Sequence, residues 1–209
     1  MKTILITGFE PFAGDAVNPS WQTVKQLPDQ DGQWKIIKKE LPVVFERAGK
    51  ELVKYIAQYR PDAVLTAGYN GAADRLNLEY IAINLDHARI ADNDGQMPLQ
   101  KPIDNKGDLA LKSRLPVFEL EKRLAEKGIP ARISFSAGTF VCNHVMYLLL
   151  QECEKRQIPG GFIHIPPLCQ PEDTQGSLSK KENKKENKTG SSLSEKVAVD
   201  GLLEVIRAL

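Results

Sequence analysis

Three short runs in this chain are apolar at nearly every position rather than at every second one: Ile4-Leu5-Ile6-Thr7, Ala63-Val64-Leu65-Thr66-Ala67-Gly68 and Gly161-Phe162-Ile163-His164-Ile165. A strand with one face in water alternates apolar and polar residues, whereas a strand that is apolar throughout must be covered on both faces. Helices packed above and below a parallel sheet give that cover, and the intervening stretches supply them. Phe45, Ala48, Leu52, Ile56 and Tyr59 recur at helical spacing, Leu120 and Leu124 share one side of another helix, and Val199, Leu202, Leu203 and Ile206 mark a last one. Strand and helix in alternation predict an α/β sandwich with a largely parallel, twisted sheet. The 209 residues are enough for one domain, 1–209, with a sizeable core.

Local signals set the expected boundaries. The first strand ends at Gly8, and the loop Gly8-Phe9-Glu10-Pro11-Phe12-Ala13-Gly14 leads to Asn18, a helix cap with Pro19 at the first helical position. Trp34 to Val44 reads as a second strand and Ala63 to Gly68 as a third. Tyr80 to Asn84 reads as a fourth, with Glu79 at its entrance. Between Asp86 and Arg114 the turn-rich Asp92-Asn93-Asp94-Gly95 and Asp104-Asn105-Lys106-Gly107 predict loops or a small hairpin. A helix over Leu115–Lys127 is stopped by Gly128 and Pro130. A strand over Ala131–Ser136 then leads into a further helix. The final helix is expected to begin at a capping box, Ser192-Leu193-Ser194-Glu195. Residues from about 175 to 192, with a tandem Lys-Lys-Glu-Asn, carry too little apolar surface to order themselves and read as a solvated, low-complexity loop.

Composition narrows the function classes. A hydrophobic content of 42% and a charged content of 26% are those of a soluble globular protein. A net charge of +1 argues against nucleic acid or an acidic surface as an obligate partner. No apolar stretch approaches the roughly 18 residues that span a membrane, and the apolar run at the start is too short for a signal peptide. The three cysteines, Cys142, Cys153 and Cys169, are odd in number and lack scaffold spacing, which predicts free thiols and a cytoplasmic location.

Chemistry concentrates in Ser136-Ala137-Gly138-Thr139-Phe140-Val141-Cys142-Asn143-His144. Small residues turn the chain from strand to helix and leave Cys142 in the first helical turn, where unpaired N–H groups favour a thiolate. The competing reading is an inert core cysteine, the fate of most free cysteines and the better reading for Cys153. A cysteine nucleophile needs an imidazole base and a group to orient it. His144 points about 200° away from Cys142 on a helix, which makes it a poor base. His164, in a short apolar strand, needs a buried hydrogen-bond partner and can approach Cys142 from a neighbouring strand end. Glu79 can orient it, and His87 reads as a loop histidine. Phe9 and Phe12 leave the carboxyl end of a strand, where they either wall an apolar pocket or cover the edge of the core. A zinc site from Cys142, His144, His164 and Cys169 has the right ligand number but no known spacing.

Taken together, Gly8-Phe9-Glu10-Pro11-Phe12 with Asn18-Pro19-Ser20-Trp21, Glu79 with Ala82-Ile83-Asn84, Ala88-Arg89-Ile90-Ala91-Asp92-Asn93, Ser136 to Tyr147 and Gly161 to Pro166 resemble the pyroglutamyl peptidase I family of cysteine peptidases. The resemblance spans nearly the whole chain apart from the lysine-rich stretch. It implies an α/β/α sandwich, a homotetramer, no metal or cofactor, and removal of an N-terminal pyroglutamyl residue from peptides. It implies Cys142 as nucleophile, His164 as base and Glu79 as its orienting group. Phe9, Phe12, Ile90, Phe140 and Val141 match residues lining the lactam pocket, and Asn18 and Arg89 match polar positions near it. The chain departs from the family in the loop before Glu79. Tyr69 stands where glutamine is usual, Ala73 where arginine is, and Tyr80 follows Glu79 in place of another arginine. Arg75 is a candidate substitute. The altered loop leaves open a binder of a pyroglutamyl-like ligand, or a hydrolase of a different blocked amide.

Overall fold

The structure, a computed structural model, describes residues 1–169 and 192–209. The first half of the chain runs β1 (Lys2–Phe9), α1 (Pro19–Lys25), β2 (Gln30–Asp31), β3 (Trp34–Leu41), α2 (Arg47–Tyr59), β4 (Ala63–Tyr69), β5 (Leu76–Glu79) and β6 (Ile81–Ile83). The second half runs β7 (Ala110–Lys112), α3 (Val117–Glu126), β8 (Ala131–Ser134), α4 (Val141–Arg156), β9 (Gly160–Ile165), β10 (Leu168–Cys169), β11 (Leu193–Ser194) and α5 (Glu195–Arg207). Seven strands form one sheet in the order β2-β3-β1-β4-β9-β5-β8. The lysine-rich stretch at 175–191 lies outside the described residues.

The continuous apolar strands behave as their composition requires. Alternate residues enter opposite cores: Ile4, Ile6, Leu65, Ile163 and Ile165 pack with α1, α3 and α5, whereas Leu5, Val64 and Phe162 pack with α2 and α4. His164 is two residues from Phe162, so it shares the α2/α4 face of the sheet. The chain is therefore an α/β/α arrangement with a mostly parallel sheet. Helix α4 is buried nearly all round, at Val145, Met146, Leu149, Leu150 and Cys153, because the sheet, α2 and the β6–β7 hairpin each cover part of it. Among the described residues no helix is long and apolar enough to cross a membrane.

Two expected elements are corrected. The strand over Tyr80–Asn84 divides at Tyr80. Leu76–Glu79 joins the central sheet, parallel to β8 and antiparallel to β9, while Ile81–Ile83 leaves it to pair antiparallel with β7. The reason is packing: Leu76 and Leu78 fill the α1/α3/α5 core, whereas Ala82 packs into the opposite core. The cap of α5 is Ser194 rather than Ser192, with the Val197 N–H donating to Ser194 Oγ at 3.3 Å. Leu193 and Ser194 are held extended against Leu168 and Cys169, which delays the helix by two residues. Asn18 caps α1 as expected, its side chain accepting from the Ser20 N–H, with Pro19 at the first position.

Candidate active site

Adjacent strands and one helix start build the site. Strands β9 and β5 run in opposite directions, with His164 opposite Asn77 and Phe162 opposite Glu79. His164 and Glu79 are thus diagonal neighbours on one face, within reach of long side chains. The His164 Nδ1–H donates to Glu79 Oε1 at 2.7 Å. Glu79 is completely buried and His164 is 5% exposed. Burial pushes the His164 pKa down, but the hydrogen bonds and charges of Cys142 and Glu79 outweigh it and raise the imidazole to about 9, from an ordinary 6.5. The second carboxylate oxygen, Oε2, has no hydrogen-bond partner among the described residues. The whole weight of this carboxylate falls on His164.

Cys142 is the second residue of α4, half-buried, above Gly68 of β4. Gly68 lies beside His164 in the sheet. A Cβ at position 68 would stand 2.6 Å from the Phe162 ring and 3.0 Å from Cys142 Sγ, so the missing side chain is what lets the sulfur approach the sheet. The residue preceding the helix, Phe140, makes no side-chain capping bond, which leaves the first-turn N–H groups without that partner.

Beside Cys142 opens a cavity of about 240 Å³, lined largely by apolar side chains. Phe9, Phe12, Val43, Tyr69, Phe140 and Val141 form its walls, and Ala13, Asp15, Val17 and Asn18 complete it. Phe140 packs against Phe12 at 5.4 Å between ring centroids and edge-on against Phe45 at 5.1 Å. The Asn18 amide is committed to the framework, donating to Glu10 O at 2.9 Å and accepting from Ser20. Glu10 Oε1 in turn accepts from the Val43 N–H and from Asn93. Polar groups hold the loop, and phenylalanines face the cavity. A larger and more polar depression of about 610 Å³ lies between β7 and the end of α4, but neither cysteine nor histidine lines it.

The structure thus brings together Cys142, His164, Glu79, Phe9, Phe12, Asn18, Tyr69, Phe140 and Val141. Arg89 and Ile90 are placed differently: both are exposed and neither lines the cavity. Arg75 is paired with Asp74 at 2.7 Å and is likewise absent from the lining. The Tyr69 phenol is raised above its ordinary pKa by burial and by Asp15. Three of the four groups of the zinc alternative have other partners: His144 Nδ1 meets Asp86 at 2.9 Å, His164 meets Glu79, and Cys169 meets Ser192. Val43 was not expected in the cavity, although its place just after Pro42 at a strand's carboxyl end was a usable signal. Asn143 and Asp86 were also missed, and a buried asparagine inside an apolar helix was the clue.

Comparison with known proteins bears on the chain as a whole. The sequence profile described as pyroglutamyl peptidase matches residues 2–208. A pyrrolidone-carboxylate peptidase of Bacillus cereus (strain G9842) is 47% identical over 171 residues, covering 80% of each chain. Among solved structures, pyroglutamyl peptidase I of Bacillus amyloliquefaciens superposes with a TM-score of 0.86 at 36% identity, over 98% of this chain and 95% of that one. A variant pyrrolidone carboxyl peptidase of P. furiosus gives a TM-score of 0.87 at 33% identity, over 99% of this chain and 97% of that one. With the match running from the first strand to the last helix, the chain belongs to the pyroglutamyl peptidase family, a family of cysteine-type hydrolases.

Proposed function

We propose that this protein removes an N-terminal pyroglutamyl residue from peptides, with Cys142 as nucleophile, His164 as base and then acid, and Glu79 as the group that orients His164. The observation that carries this reading is the buried Glu79–His164 pair, at 2.7 Å, beside a half-buried cysteine at the mouth of an apolar cavity. Pyroglutamate is a flat lactam without an ammonium group. A cavity walled by Phe9, Phe12 and Phe140 suits its ring, and no acidic anchor for an amine is needed. Tyr69, Arg89 and Ile90 belong to the same reading as substrate-side residues, Tyr69 in the cavity wall and Arg89 and Ile90 on the exposed loop outside it. Assembly as a homotetramer, in the cytoplasm, is part of it too.

The steps balance as an acyl transfer. His164 takes the proton from Cys142 Sγ, and the sulfur attacks the pyroglutamyl carbonyl carbon. The resulting oxyanion is met by N–H groups at the start of α4. As the tetrahedral species collapses, the C–N bond breaks and the imidazolium gives its proton to the departing amine. Water, deprotonated by His164, then adds to the thioester carbonyl; the C–S bond breaks, the imidazolium returns its proton to Cys142 Sγ, and pyroglutamic acid is released. Glu79 fixes the tautomer and plane of the ring and stabilises the imidazolium.

The test is release of a fluorescent amine from its pyroglutamyl amide under reducing conditions, beside the prolyl amide and a Cys142→Ala control. Turnover of the pyroglutamyl substrate alone, abolished in the control, is the expected result. Turnover of the prolyl amide instead would assign the Tyr69 loop to a different substrate, and no turnover by folded protein would overturn the reading.

A further inference from the structure

Cys142 is bracketed by three side chains that all reach one other segment of the chain. Thr139 Oγ1 donates to His87 O at 2.7 Å, and the His87 N–H returns a bond to Thr139 O at 3.0 Å. Asn143 Oδ1 accepts from the Ile83 N–H at 2.9 Å, while its Nδ2 donates to Ile83 O at 2.8 Å and to Leu85 O at 3.1 Å. His144 Nδ1 meets Asp86 at 2.9 Å, with both side chains buried. The segment they grip, Ile83–His87, begins four residues after Glu79.

We propose that this clamp, centred on Asn143, positions the nucleophile against His164 and Glu79; the inference rests on the reading of Cys142 as nucleophile. The Asn143 amide engages both backbone groups of Ile83, as a neighbouring strand would, and so fixes register as well as distance. Asn143 is 1% exposed, so no water replaces a lost bond cheaply. The clamp ties the start of the cysteine's helix to the chain leaving the carboxylate's strand. Thiol and carboxylate then share one frame, although they sit on different elements. Asn143 does not line the cavity, and substrate affinity should not depend on it.

The clamp makes a kinetic signature that simple structural support would not. Asn143→Ala removes three bonds, Asn143→Asp keeps only the acceptor for Ile83 N–H, and Thr139→Val removes one bond at a half-buried position. Displacing reacting groups by about 1 Å costs on the order of a hundredfold in rate. Asn143→Ala should therefore lower kcat by that order with KM within about twofold, and Thr139→Val should lower it less. Alkylation of Cys142 by iodoacetamide should slow, with a shifted pH profile. Leu202→Ala, in the core on the other side of the sheet, is the stability control and should leave kcat unchanged.

The clamp is overturned if folded Asn143 variants keep the parental kcat and alkylation profile, or if Leu202→Ala loses kcat equally. If Asn143→Ala does not fold, Thr139→Val decides in the same way. A parent protein with no pyroglutamyl turnover would sink the proposed activity, while the alkylation profiles would still decide the clamp.

Discussion

Glu79→Gln changes a charge and almost nothing else. The carboxamide occupies the carboxylate's volume, and its oxygen can still accept from His164 Nδ1 where the 2.7 Å bond now lies. What disappears is a negative charge in a fully buried position. Burial alone draws the His164 pKa down, and it is Cys142 and Glu79 that raise it to about 9. A hydrogen bond to a charged partner is worth about 1.5–3 kcal/mol, against about 1 for a neutral one. The difference, roughly 0.5–2 kcal/mol, corresponds to about one pKa unit. In the proposed mechanism the alkaline limb of kcat/KM marks loss of the imidazolium that protonates the leaving amine, so it should move down by about one unit. The stability effect has the matching sign. The folded pKa lies above the unfolded one, so the pair's contribution is complete below about 6.5 and fades as pH rises through about 9. Denaturant midpoints of parent and variant should differ most at mildly acidic pH and draw together in alkali. An alkaline limb at the same pH in both proteins, by turnover and by Cys142 alkylation, would refute the reasoning.

Gly68→Ala should damage fold and activity together. The new methyl would stand 2.6 Å from the ring of Phe162, which is fully buried, and 3.0 Å from Cys142 Sγ. Overpacking of this kind costs about 1–3 kcal/mol. Denaturation should show that loss and kcat should fall, and a parental kcat would count against the sulfur's placement. Cys153 supplies a contrast within one molecule. Burial pushes its thiol up to about 12, so near neutral pH iodoacetamide should modify Cys142 in the folded protein and reach Cys153 only after unfolding. Peptide mapping by mass spectrometry reads both sites, and equal labelling of the two in the native state would contradict the packing around α4.

The sheet's centre was legible because β1, β4 and β9 are apolar on both faces and nothing else satisfies such a run. Glu79's strand was not. Leu76-Asn77-Leu78-Glu79 carries only two apolar residues, and the more apolar Ile81-Ala82-Ile83 next to it competes for the same assignment. Its place depends on antiparallel pairing with β9, more than eighty residues away, which no local pattern encodes. At the site, Cys142 and His164 stood out for their settings, a thiol at a helix start and an imidazole in an apolar strand, and the loop phenylalanines lay at a strand's carboxyl end. Val43 and Asn143 were hidden because their roles come from neighbours distant in sequence. Arg89 and Ile90 share a loop whose Asp92 and Asn93 are spent on Phe45 and Glu10, leaving the first two side chains outside the cavity.

The opposed directions of β5 and β9 carry a consequence for assembly of the molecule. Side chains alternate along a strand, so a slip of β5 by one residue would turn Glu79 through the sheet into the opposite core. A chain caught in that arrangement would keep its helices and most of its compactness while having no carboxylate behind His164. Circular dichroism would count such molecules as native, and an active-site titration would not. The ratio of titrated thiols to total protein after refolding therefore measures how faithfully this one strand has found its partner.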